Sequence, residues 1–87
     1  LSRAPDGGAA AEAALRADAL WRAVRRLPAV HQEIVYLRHF LQLSEAEAGA
    51  ALGVPAGTVK SRTHRALLQL RTVIVKDFPE LHEADHE

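Results

Sequence analysis

Between Thr58 and Lys76 the chain carries Lys60, Arg62, Arg65, Arg71 and Lys76 and no acid, with hydroxyls at Thr58, Ser61, Thr63 and Thr72. Cationic donors and hydroxyls in one segment suit a polyanion. Ammonium and guanidinium groups hold phosphates, and guanidinium forks and hydroxyls can hydrogen-bond base edges. A second constellation, His82-Glu83-Ala84-Asp85-His86, has the H-E-x-x-H spacing. On a helix that spacing sets two imidazoles on one face for zinc, with the glutamate as a base. It falls near the chain end, without a third ligand or a supporting core, so catalysis and a metal site are set aside for an acidic, disordered tail. His31 and His39 are single histidines on a helix and read as ordinary, partly exposed side chains. Cysteine is absent, so a disulfide framework and Cys-based zinc or redox sites are excluded. No cofactor is expected.

The donor-rich segment needs an element that displays it. Pro55 suits the first turn of a helix, and apolar spacing carries that helix to about Phe78, before Pro79. With Val59 at the centre of the buried face and about 100° per residue, Thr63, Ala66, Leu70 and Val73 fall inward. Ser61 and Arg65 lie near the opposite pole, with Gly57 and His64 beside them. Thr58, Lys60 and Arg62 lie on the flanks. Upstream, Ser44-Glu45-Ala46-Glu47 reads as a capping box that starts a short helix with Ala48, Ala51 and Leu52 inward. Gly53 closes that helix in a position suited to the left-handed conformation. Two helices joined by a tight turn, the second with an exposed basic face, form a helix-turn-helix. A solvated basic face on an ordinary helical hairpin is the bland alternative; the capping box, the Gly53 turn and Pro55 together weigh against it.

Two more helices support this unit. Ala9 to Leu27 is Ala-rich, with Leu20, Val24 and Leu27 at helical spacing and Trp21 on the flank. Pro28 breaks or restarts the helix, and Val30, Ile34, Leu37 and Leu41 mark a second amphipathic helix ending near Phe40 to Gln42. The expected fold is all-α: a four-helix domain over residues 9–78 with a C-terminal helix-turn-helix. Residues 1–8 read as a flexible linker end and 79–87 as an acidic tail.

Eighty-seven residues make one small domain, and no apolar run is long enough to span a membrane. The chain has no methionine and begins at Leu1, which suggests a fragment of a longer protein. Its zero net charge hides an asymmetry: residues 1–76 carry a net +5 and residues 77–87 a net −5. A basic body suits a nucleic-acid partner.

The motif combination resembles region 4 of bacterial sigma factors, in the compact extracytoplasmic-function class. The residues that carry it are Leu27-Pro28, Leu37-Arg38, Ser44 to Glu47, Leu52-Gly53, and Gly57-Thr58-Val59-Lys60-Ser61-Arg62 with Arg65-Ala66. The resemblance implies that Lys60, Ser61, His64 and Arg65 face the −35 promoter element, with Thr58 and Arg62 near phosphates. It also implies that Arg38 and Glu47 help hold the two motif helices together. The helical wheel agrees on Ser61, His64 and Arg65. It brings Arg62 closer to the buried side, where an ion pair with Glu47 competes with a phosphate contact.

The same resemblance implies a cytoplasmic, non-enzymatic module. Its implied partners are promoter DNA, the RNA polymerase core through its β flap, and an anti-sigma factor. Leu68 and Val75, seven apart on the outward side of the last helix, are a candidate partner surface. A DNA-binding output domain of a dimeric transcription regulator remains the alternative; dimerisation on paired half-sites would distinguish it. The sequence departs from the family pattern at Ala48-Gly49, where Ile-Ala is usual, at Thr63, where Leu or Ile is usual, and at Gln32, where Arg is frequent. The first two departures are expected to thin the core under the motif.

Overall fold

A computed structural model describes residues 7–85 and the side chains of residues 8–82. Five α-helices follow one another: α1 (Gly7–Val24), α2 (Ala29–Val35), α3 (Glu45–Leu52), α4 (Ala56–Asp77) and α5 (Pro79–Asp85). A π-helical segment, Tyr36–Phe40, continues α2. The all-α expectation holds, with one helix more than the four expected.

α1 ends at Val24 rather than Leu27. Its last turn tightens, with Arg26 N–H donating to Ala23 O and Leu27 N–H to Val24 O, both at 3.0 Å. A residue before proline is driven out of the helical region, which explains why Leu27 cannot continue the helix. Gln32 Nε2 then donates to Leu27 O at 2.8 Å and Arg25 O at 3.3 Å, satisfying carbonyls left open at this corner.

The second amphipathic stretch departs from its simple periodicity. Ile34 and Val35 are both buried, so the inward face is centred between them. Val30 then lies about 90° away and is exposed. After Tyr36 the ladder widens, and Leu41 N–H donates to Tyr36 O at 2.9 Å. A π turn inserts a residue and shifts the helical phase. Leu41, expected inward, is exposed, while Leu43 packs on the core. Gln42 follows with φ 58°, the one non-glycine residue at positive φ among the described residues.

The core is small. Ala19, Ala23, Val24 and Leu27 meet Ile34 and Val35, Ala48 of α3, and Val59, Ala66 and Leu70 of α4. Ala51 of α3, expected inward, is exposed, and Leu52 is half-buried. Thr63 is half-buried and donates its hydroxyl to Val59 O at 2.7 Å, so a polar residue at this site is satisfied within α4.

The segment expected as a tail differs most. Phe78 and Leu81 are buried at 5% and 7% exposure, and α5 packs against α1 and α4. The guanidinium carbons of Arg22 and Arg26 lie 5.5 and 5.4 Å from the centre of the Phe78 ring. Arg26 Nη1 also donates to Asp77 Oδ2 at 2.7 Å. Net charge made residues 79–85 look like solvent-facing chain; two apolar residues three apart anchor them instead. Of the His82–His86 pattern, His86 lies outside the described residues, as do the side chains of Glu83 and Asp85. No described helix is long and apolar enough to cross a membrane.

Candidate nucleic-acid interface

The display element is built from local rules. Ser44 Oγ accepts from Glu47 N–H at 3.0 Å, and Ser44 N–H donates to Glu47 Oε1 at 2.8 Å, completing the capping box of α3. Gly53 ends α3 with φ 73°, ψ 32°, the left-handed geometry that a side chain strains against. Val54 N–H reaches back to Gly49 O at 3.0 Å, and Pro55 caps α4 with φ −64°, ψ 153°. Val59 is fully buried beneath the turn, as is Ala48 opposite it.

Gly49 has a positive reason to be there. A Cβ on it would stand 2.6 Å from the Val54 carbonyl oxygen, so α3 and the turn approach more closely than a side chain allows. Its helix penalty of about 1 kcal/mol is therefore tied to a close approach rather than to a missing contact. Gly49→Ala is expected to destabilise the domain by about 1–3 kcal/mol, the usual cost of overpacking. A urea melt reads this as a lower midpoint; a raised midpoint would show that the turn yields and that propensity alone governs the site.

α4 displays the sequence-predicted residues as follows. Gly57, Lys60, Ser61, His64 and Arg65 are exposed; Thr58 and Arg62 are half-buried on the flanks. Among the described residues, no ion pair or side-chain hydrogen bond engages Lys60, Arg62, His64 or Arg65. The Arg62–Glu47 pair that competed with a phosphate contact does not form; Glu47 Oε1 instead accepts from Ser44 N–H. Ser61 Oγ donates to Thr58 O at 3.2 Å.

Arg38 sits off this face. Its Nη1 donates to the Leu43 carbonyl and its Nη2 lies 4.0 Å from Glu45 Oε2, so it joins the π segment to the start of α3. Its Nε is buried without a hydrogen-bond partner. Arg38 and Glu47 thus act at the beginning of α3 and not across the α3–α4 junction. On the far half of α4, Leu68 and Val75 are 54% and 46% exposed.

Sequence reasoning missed one surface. Leu20, Trp21, Val35, Phe40 and Leu67 line an apolar hollow of about 270 Å³ between α1, the π segment and α4. Trp21 and Phe40 of this lining form an aromatic cluster with Tyr36, Phe40 stacking 5.1 Å from Tyr36 and meeting Trp21 edge-on at 5.4 Å. The four-residue spacing of Tyr36 and Phe40 was the available signal.

A capped short helix, a left-handed glycine turn and a second helix with an outward cationic face define a helix-turn-helix module. The sigma-70 region 4 family model matches residues 17–70, and the chain belongs to that family. It is 54% identical over 44 residues to the RNA polymerase sigma-E factor of Streptomyces coelicolor, covering 51% of this chain and 25% of that protein. Against the sigma-E factor of Streptomyces antibioticus it is 50% identical over 52 residues, covering 60% and 29%. The ECF RNA polymerase sigma factor SigE of Mycolicibacterium smegmatis is 43% identical over 61 residues, covering 70% and 24%. The chain thus spans about a quarter of the length of the curated relatives it matches. No solved structure gives a significant match.

Proposed function

We propose that this chain is the −35-reading module of an extracytoplasmic-function sigma factor, acting in the cytoplasm within RNA polymerase holoenzyme. The observation that carries the reading is the outward face of α4, where Lys60, Ser61, His64 and Arg65 stand exposed with no acid nearby in the helix. The N-terminal part of a recognition helix enters the major groove, so these side chains meet base edges. Thr58 and Arg62, on the flanks, meet phosphates and fix the register. The test is binding to cognate and scrambled −35 duplexes at two salt concentrations. Equal affinities for both duplexes at each salt would refute the reading.

Protein partners need apolar surface. The hollow lined by Trp21, Phe40 and Leu67 suits an apolar helix of the polymerase β flap. Leu68 and Val75 suit an anti-sigma factor, because exposed apolar groups gathered on one side favour a protein partner. Leu68→Glu is expected to weaken anti-sigma binding at least tenfold, since about 1.4 kcal/mol suffices for that factor. Helix content should stay unchanged and DNA affinity should change less. Loss of DNA binding with an intact anti-sigma complex would place Leu68 in the DNA interface instead.

A further inference from the structure

We propose that Ser61 reads an exocyclic amino group, adenine N6 or cytosine N4, as the acceptor beside the donor-only side chains Lys60 and Arg65. The inference rests on the −35 reading and deepens it by naming the chemistry of one recognised base.

The starting point is the polarity of the exposed groups. Lys60 and Arg65 carry donors only. They can satisfy guanine O6 and N7, thymine O4 and adenine N7, which are all acceptors. A single donor aimed at N7 is satisfied by either purine. The mark that distinguishes adenine or cytosine in the major groove is an amino donor, and recognising it takes an acceptor.

Side-chain acceptors are scarce on this face. Thr63 is half-buried and holds Val59 O at 2.7 Å, so its hydroxyl belongs to the helix. Thr58 is half-buried on the flank. His64 offers one acceptor nitrogen in its neutral form and none when protonated. Ser61 is exposed, and its single hydroxyl hydrogen is already donated to Thr58 O at 3.2 Å. That bond leaves the Ser61 oxygen with acceptor capacity alone toward the groove. Arg65 follows four residues later on the same side of α4, so a donor fork and an acceptor stand side by side. Their complement is a guanine next to an amino-bearing base.

The experiment uses the 87-residue chain at low salt. A preferred duplex is first selected from a randomised pool. Each adenine in it is then replaced by purine, and each cytosine by 2-pyrimidinone, which removes only the amino group. At one position this is expected to weaken the unmodified protein about three- to tenfold, the effect of one neutral hydrogen bond. Ser61→Ala should show the same loss on the native duplex and no further loss at that position, a coupling that a double-mutant cycle isolates. Ser61 is exposed, so the variant should keep its thermal midpoint. If amino deletions weaken both proteins equally at every position, or Ser61 couples to a thymine O4 or guanine O6, the inference fails while the −35 reading stands. If the pool yields no preferred sequence, the −35 reading fails and the inference with it.

Discussion

Arg65→Ala is expected to remove most of the sequence-specific part of DNA binding while leaving a non-specific remainder. Arg65 is exposed on α4 and has no ion-pair partner among the described residues, so its guanidinium fork is free for a bidentate base contact. Such a contact contributes about 1–3 kcal/mol of discrimination against the wrong base. At about 1.4 kcal/mol per factor of ten, that is roughly 5- to 150-fold. Lys60 lies nearer the edge of the face, so its base contact is expected to be weaker than that of Arg65 and its share mainly electrostatic, acting on every sequence nearly alike. Lys60→Ala should therefore weaken cognate and scrambled duplexes together and lower the salt slope by about one. Measuring both variants on both duplexes at two salt concentrations separates the roles. Equal, sequence-independent losses would show that Arg65 only neutralises phosphate.

The motif that displays these residues was largely legible in the sequence because it rests on short-range rules. A Ser followed three residues later by Glu, a glycine after the last apolar residue, and a proline before the next helix each act within a few positions. The first two appear in the structure as expected, at Ser44 and Glu47 and at Gly53, while Pro55 stands at the N-cap, one position before the first turn where it was expected. The buried face of α4 followed from angle alone, and Val59, Ala66 and Leu70 are buried as expected.

What stayed hidden depends on contacts between distant segments. The spacing of Val30, Ile34, Leu37 and Leu41 is that of a regular helix. The π segment that breaks it accompanies the capture of Tyr36 and Phe40 by Trp21 and of the Leu43 carbonyl by Arg38. Gly49 looked like a cost because helix propensity cannot register an oxygen five residues away in chain and 2.6 Å from an absent Cβ. Gln32 looked like a lost arginine and turned out to hold the carbonyls of Arg25 and Leu27.

The same distinction governs the C-terminal segment, where the largest stability effect is expected. Phe78→Ala should destabilise the domain by about 3–5 kcal/mol, the usual range for deleting a buried ring. An 87-residue domain has a total stability of roughly 4–13 kcal/mol, so this loss is a large share of it. The ring is 5% exposed and lies under the guanidinium groups of Arg22 and Arg26, which lose their aromatic partner in the variant. The Arg26–Asp77 pair survives but is solvent-exposed, and such pairs contribute about 0–1 kcal/mol. It cannot hold α5 in place alone. Thermal melts should show a midpoint at least 12 °C lower, taking about 4 °C per kcal/mol for a domain of this size. Leu81→Ala should act in the same direction. Neutralising Glu80, Glu83 and Glu87 to Gln tests charge without touching either anchor. It should leave the midpoint nearly unchanged and raise non-specific DNA affinity at low salt, because five acids after Lys76 oppose the basic body. If Phe78→Ala and Leu81→Ala melt like the parent chain while the Gln variants bind DNA more tightly, α5 is undocked in solution. Residues beyond Asp77 would then act only through their charge.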